Sequence, residues 1–398
     1  MFTRENERKI TERKKVSLEQ WFPDDRPDEN YAVLGGNIFQ RDIATEQGIA
    51  RCFGKRAVLV IQNNQSLEAE LKNLVNNYPE LKPYQDSSME FVNYENRSYM
   101  PLWGLDDERI VEVLYPENDQ NHFSQYRSGI RSYLKILKYQ NQPYTLSKLL
   151  GLCEKSMDQL EEEELGNMPA GLADEIVGSL LVDDVMTRVR NDIQAFAGWF
   201  QGRIWDGREE KVVNMLAAVK EKALISIHLP VGSQPLLNYL AMELEMILES
   251  GMPCLLVIDS VDIANSRMKQ VLLNPARSMA RLIAGDTVQT VCSTEKNGGE
   301  ILHRFDKILL FKCANSVIAR QYSDMIGSYS KTVVNENVNR SRRSILGLRS
   351  IVTKGNTISR QQAARMEPEE LAGLGNGAVL IDQGTGEIEK AGWIEEME

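Results

Sequence analysis

The chain reads as an α/β protein, a mainly parallel sheet sandwiched by helices with an all-helical segment inserted into it. Three observations predict this. First, apolar runs of strand length, Arg56–Gln62, Ala223–Leu229 and Cys254–Asp259, alternate with helix-length stretches. Near-continuous apolar strands belong to parallel sheets covered on both faces, built from right-handed crossovers. Second, strand-like runs vanish between Asp106 and Lys222, where apolar residues recur at three- and four-residue spacing, as in Ile130, Tyr133, Leu134 and Leu137. Third, 398 residues suffice for two or three domains, and 42% hydrophobic with 26% charged residues lets each bury a core.

Taken in order, residues 1–30 form a charged arm and a Pro/Asp-rich lead-in, with Trp21 and Phe22 placed to pin it to the core. The arm is expected to be solvated, and its charge excludes a secretory signal. Residues 31–105 open the α/β core. They hold a strand at Tyr31–Leu34, a glycine turn, a helix from about Asp42, the strand Arg56–Gln62, a helix Ser66–Asn76 and an extended piece at Met89–Tyr94. Residues 106–222 are the helical insertion. Its Glu161–Glu164 run is a solvated loop or helix end, or else meets a basic partner.

The core resumes over 223–335. Ala223–Leu229 and Cys254–Asp259 are buried strands flanking a helix at Pro235–Ser250. A helix between Ser266 and Ala284, strands at Val288–Ser293 and Ile308–Lys312, and a helix at Val317–Ile326 complete it. Residues 336–398 extend the core. They comprise a polar passage with Arg340, Arg342, Arg343 and Arg349, a helix at Glu367–Leu374, and a hairpin turning on Gly384-Thr385-Gly386. The arginines can neutralise phosphates, dock a neighbouring subunit, or belong to a solvated linker.

The candidate site lies at Tyr31–Asn63. A strand, Gly35-Gly36, a helix and a second buried strand have the layout of a phosphate-binding P-loop, whose backbone N–H groups and helix N-terminus hold phosphates. The pattern G-x-x-x-x-G-K-[ST] laid on Gly35 asks for Gly, Lys and Ser/Thr at 40–42, where this chain has Gln40, Arg41 and Asp42. Gln40 restricts the loop backbone. Arg41 keeps a charge but not a compact ammonium. Asp42 puts an anion beside the phosphates, a repulsion of about 1 kcal/mol in water and about 4 at an effective dielectric of 20 for charges about 4 Å apart. Asp42 is equally a helix N-cap, so a purely structural loop stays open beside direct magnesium binding.

The second half of such a centre is a strand ending in a magnesium-holding acid followed by a glutamate. Cys254–Asp259 supplies Asp259, but Ser260 stands in the place of the base and cannot take a proton from water near neutral pH. No catalytic residue is therefore assigned, and Asp42 with Asp259 is the only metal pair on offer.

The order of these blocks carries a resemblance. The Gly35–Asp42 turn, the helical insertion, KALISIHLP, CLLVIDS and VQTVCST are followed by ILLFKCANSVIARQYSDMIGSYS and ARMEPEELAGLGNGAVLIDQGTGEI. Together, over about Tyr31 to Trp393, they resemble the type IV secretion coupling proteins of the TraG/TraD kind in the FtsK/HerA-like P-loop ATPase superfamily. The resemblance implies a RecA-like core and a helical domain that recruits substrates in secretion or conjugation. The chain departs from that family in lacking transmembrane helices, the P-loop Lys-Ser/Thr and a Glu after Asp259. It also has Ser293-Thr294 where the family tends to carry a sensing Gln.

The expectation is therefore a pseudo-ATPase, an adaptor or scaffold without a cofactor, whose helical domain meets secretion or conjugation proteins. Two alternatives remain. One is a divergent ATPase using Mg-ATP through Arg41, Asp42 and Asp259. The other is a DNA-binding protein on a motor fold, supported by the arginines and opposed by the net charge of −11. Homo- or hetero-oligomerisation stays open.

Five scattered cysteines (Cys52, Cys153, Cys254, Cys292, Cys313) and three isolated histidines (His122, His228, His303) exclude a zinc or disulfide framework and fit a reduced cytoplasm. No apolar run is long enough to span a bilayer. Membrane association is expected only through partners, at the inner face.

Overall fold

A computed structural model describes residues 10–93, 99–115, 124–182, 184–200, 212–229, 234–263, 267–287, 301–342 and 350–395, with backbone alone over 330–342 and 350–360. The strands are β1 (Ile10–Arg13), β2 (Val16–Ser17), β3 (Tyr31–Leu34), β4 (Ala57–Gln62), β5 (Met89–Val92), β6 (Leu224–His228) and β7 (Cys254–Asp259). There follow β8 (Met279–Gly285), β9 (Lys307–Phe311), β10 (Ser328–Arg342), β11 (Ser350–Ala364), β12 (Ala378–Asp382), β13 (Ile388–Ala391) and β14 (Ile394–Glu395).

Ten of them form one sheet in the order β1-β13-β12-β9-β3-β8-β7-β4-β6-β5. Every pairing within it is parallel except those of β12 with β9 and β13. The architecture is a RecA-like, mainly parallel α/β sheet. Because β3 to β9 run the same way, the turns after Leu34, Gln62, His228, Asp259, Gly285 and Phe311 gather at one edge of the sheet.

Strand alternation sorts the core into two layers. Val33, Val58, Val60, Leu255, Val257 and Leu282 face the helices that carry Ile49, Leu67 and Leu71. Ala32, Leu59, Ile61, Leu256 and Ile258 face the layer that includes Ile130, Tyr133, Ile193 and Phe196 of the insertion. The inserted helices include Asp107–Leu114, Ser124–Tyr139, Leu146–Cys153, Ala170–Leu180 and Val185–Phe200. They rest on the helix Gln234–Ser250, where Tyr239 meets Phe196 and Phe200 edge to face at 5.7 and 5.3 Å. Beneath this joint, Glu243 is fully buried and accepts from the hydroxyls of Tyr99 and Tyr239.

Four expectations are corrected. The stretch read as one helix between Ser266 and Ala284 holds two elements, a helix at Met268–Leu273 and the strand β8. Arg281 disguised the strand, but it is buried, with its guanidinium donating to the carbonyls of Val271, Ala276 and Met279. The first helix runs Ile38–Ala50, starting before Asp42.

The charged arm is not wholly solvated, since β1 joins the sheet edge. The lead-in is pinned as expected: Trp21 and Phe22 are buried, and Arg51 donates to the carbonyls of Arg26 and Glu29. Arg340 and Arg342 lie in β10, paired with β11, rather than in a linker. The strand expected at Val288–Ser293, Ser293-Thr294, Arg343 and Arg349 lie outside the described residues.

Among the described residues no helix is long and apolar enough to cross a membrane. Cys52, Cys153, Cys254 and Cys313 are buried and free, as four scattered thiols should be.

Candidate functional site

The residues of the P-loop register, with Asp259 and Ser260, converge on the carboxyl edge of the sheet, the edge where open α/β folds bind ligands. Gly35 and Gly36 leave β3 with φ of +80° and +67°, a region that favours glycine. Their reason is close approach. A Cβ on Gly36 would meet the Gln40 side chain and Cβ of Phe311, both at 2.7 Å. Their N–H groups are taken, Gly35 donating to the Gly285 carbonyl at 3.1 Å and Gly36 to that of Lys312 at 2.8 Å.

The helix then starts at once. Asn37 is its N-cap, accepting from the Gln40 N–H at 2.8 Å while the Gln40 side chain accepts from the Asn37 N–H at 3.1 Å. This capping box satisfies two N–H groups that a P-loop would offer a phosphate. Positions 38–41, which in a P-loop belong to the wrapping loop, are helix.

Arg41 turns back on the same loop. Its Nη1 donates to the carbonyls of Gly35 and Gly36, each at 3.1 Å, and pairs with Asp286 at 2.5 Å. The charge is thus held by the turn after β3 and the turn after β8. Asp286 was not a sequence candidate, because β8 itself was hidden by Arg281.

Asp42 and Asp259 meet on either side of Asn64. The Asn64 Nδ2 donates to Oδ1 of Asp42 at 2.7 Å and to Oδ2 of Asp259 at 2.8 Å. The Asn64 Oδ1 meanwhile accepts from the N–H groups of Ser66 and Leu67, capping the helix Gln65–Lys72. Ser260, at φ +57°, donates its hydroxyl to Oδ1 of Asp259 at 3.0 Å. Both carboxyls are buried. Burial pushes Asp259 up to about 6, aided by the nearby Asp42 and opposed by its bonds from Asn64 and Ser260. Burial also raises Asp42, against hydrogen bonds from Ser66 and Asn64 and the Arg41 charge.

Asn64 is the residue that sequence reasoning missed. An Asn two residues after a buried strand signals a helix N-cap, which it is; its bond to both acids depends on contacts distant in sequence.

At this edge the N–H groups of Gly35, Gly36, Asn37 and Gln40 are bonded within the protein, Arg41 pairs with Asp286, and the Asn64 amide nitrogen lies between the two carboxyls. Among the described residues no group of three or more acidic, Cys or His side chains is placed to hold a metal. Arg340 and Arg342 share β10 in the two-stranded β10–β11 ribbon, outside the ten-stranded sheet that carries this edge.

Fold and edge together define a class by architecture, the RecA-like, mainly parallel α/β sheet with a helical insertion. Among solved structures the chain is similar to the bacterial conjugative coupling protein TrwB in its unbound monoclinic form. The TM-score is 0.53 at 13% identity, over 100% of this chain and 90% of that one. TrwB with the non-hydrolysable GTP analogue GDPNP matches with the same figures, and TrwB with ADP and Mg2+ at 12% identity and TM-score 0.53 with the same coverage. At this identity the likeness establishes the fold. No family model matches the chain, and a search of curated proteins finds no relative.

Proposed function

We propose that the chain is a nucleotide-independent adaptor or scaffold in a type IV secretion or conjugative transfer system, working through protein–protein contacts of its helical insertion. The observation that carries the reading is the Asn64 amide joining Asp42 to Asp259. It makes internal, by hydrogen bonds, a junction that a motor of this fold makes through a metal. The similar structures include TrwB bound to nucleotides, so the same fold can hold them. This chain departs from the P-loop pattern at Gln40, Arg41 and Asp42.

The insertion supports the partner role. Tyr139 and Trp199 on its helices, and Leu181 and Val182 just past the helix Ala170–Leu180, are large apolar side chains 42–62% exposed, and exposed apolar groups mark interaction surfaces when they recur together. On the same insertion Glu161, Glu162 and Glu163 are exposed.

Titration calorimetry with Mg-ATP and Mg-ADP, with thermal unfolding alongside, tests the reading. A ligand at a hundred times its dissociation constant stabilises the fold by about 2.7 kcal/mol. The expected result is no heat and no shift at millimolar nucleotide. Binding that is lost in Arg41→Ala would overturn it.

A further inference from the structure

The chain enters the helical insertion through residues 99–105 and returns from it through residues 213–215, into the helix Met215–Glu221. These two crossings are bonded to each other. The Met100 N–H donates to the Val213 carbonyl at 2.8 Å, and the Asn214 side-chain amide donates to the carbonyls of Met100 and Trp103 at 3.3 and 2.9 Å. Both crossings are also tied to one carboxyl. Tyr99 and Tyr239 donate their hydroxyls to Oε2 and Oε1 of Glu243. The same hydroxyl oxygens accept from the outgoing and the returning backbone, Tyr239 from the Leu102 N–H at 2.8 Å and Tyr99 from the Met215 N–H at 3.4 Å. Leu102 is held there at φ +72°, a strained backbone for a residue other than glycine, which persists only where its surroundings fix it. The ring of Tyr239 meets Phe196 and Phe200 of the insertion helix Val185–Phe200, so one tyrosine joins core, crossing and insertion. Water is shut out: Tyr99, Leu102, Met215 and Glu243 are all buried.

We propose that Glu243 and its two tyrosines form a proton-operated latch at the hinge of the insertion, closed while the carboxyl is protonated and loosened when it ionises. A charge sealed in this joint meets no counter-ion. Among the described residues the titratable groups that bear on Glu243 are Tyr99 and Tyr239; the returning crossing brings the Met215 N–H, the insertion brings the apolar rings of Phe196 and Phe200, and no cation acts on it. Burial therefore outweighs the hydrogen bonds and pushes the carboxyl up to about 7. Opening the joint hydrates Glu243 and returns it towards its ordinary 4.5. The closed joint is then favoured fully below 4.5, and its advantage fades as pH rises through 7. A wholly apolar joint would not respond to pH. An ordinary ion pair, with its carboxyl depressed, would respond in the opposite direction. The inference concerns how the insertion is held and does not rest on the adaptor reading.

Hydrogen exchange of the full chain, followed by mass spectrometry at about pH 5 and about pH 8 and corrected for intrinsic exchange, tests the latch. The opening equilibrium of peptides covering residues 99–105, Val185–Phe200 and Met215–Glu221 should rise about 70-fold between the two conditions, while peptides of β4 and β7 stay protected. Glu243→Gln should keep the joint closed and abolish the pH dependence. Tyr239→Phe removes one donor to the ionised form, so the midpoint of opening should move above 7, a shift that a merely space-filling tyrosine would not produce. Opening that is the same at both pH values in the wild-type chain would overturn the proposal, and this comparison stands even where neither variant folds. So would a pH response that survives in Glu243→Gln, or one spread equally over β4 and β7, which is global unfolding. Each of those results would leave the calorimetric question untouched.

Discussion

Asp42 and Asp259 accept hydrogen bonds from one and the same nitrogen, the Asn64 amide, at 2.7 and 2.8 Å. Neither acid can be understood alone, since both are buried and Asp42 raises the cost of ionising Asp259. Asn64→Ala should therefore behave as a double loss, removing the shared donor and the cap of the helix Gln65–Lys72. A hydrogen bond to a charged group contributes about 1.5–3 kcal/mol and a cap about 1, so a loss of about 3–4 kcal/mol is expected by urea unfolding. Adding Asp42→Asn to that variant should recover part of it, because one buried charge is removed. A loss under 1 kcal/mol would mean that water serves the acids as well as Asn64 does.

Acid should stabilise this protein before it denatures it. Burial pushes Glu243 up to about 7 despite the tyrosine hydroxyls of Tyr99 and Tyr239. A carboxyl raised in the folded state binds its proton more tightly there than in the unfolded chain. Its stabilising effect is then full below the unfolded value of 4.5 and disappears as pH rises through 7. The difference is about 3 kcal/mol across that window, by the usual 1.36 kcal/mol per pKa unit. Asp259, raised to about 6, adds in the same direction. Urea unfolding at pH 5 should thus give a higher free energy than at pH 8, and Glu243→Gln should flatten the difference.

What could be read in the residues divides along a physical line. Apolar runs announce strands because burial on both faces removes the need for polar positions, so β4, β6, β7 and β9 were legible. Arg281 hid β8, since nothing local says that its guanidinium will find three carbonyls. At the site, Asp42 and Asp259 were legible as a candidate pair, and both accept from the Asn64 amide. The early helix start was not, because the Asn37–Gln40 capping box competes with the loop and wins only once the glycine N–H groups are bonded to Gly285 and Lys312.

The glycines can be separated by what surrounds them. Gly36 sits at φ +67° with Phe311 Cβ 2.7 Å from where its own Cβ would be. Gly36→Ala should cost about 2–3 kcal/mol or more, since both the backbone region and the space are wrong. Gly151, within the helix Leu146–Cys153, has nothing within 4 Å of that position. Gly151→Ala should gain about 0.5–1 kcal/mol from helix propensity. Thermal unfolding of the two variants side by side checks the contrast; equal effects would mean the turn after β3 is not as close-packed as described.

Arg41 discriminates a structural turn from a nucleotide site by the kind of damage its loss causes. In the turn its guanidinium holds two carbonyls and Asp286 at once, a fork that a lysine ammonium on a flexible stem cannot reproduce. Arg41→Lys should accordingly lose most of what Arg41→Ala loses, about 2 kcal/mol, because the Gly35 and Gly36 carbonyls and the Asp286 carboxylate are left short of donors. At a phosphate-binding position lysine would serve as well as arginine or better, since the P-loop residue is a lysine. The two variants are compared by urea unfolding with and without millimolar Mg-ATP. Equal destabilisation in both, indifferent to nucleotide, is the expected result. Restoration of wild-type stability in Arg41→Lys only when Mg-ATP is present would assign the position to phosphate instead.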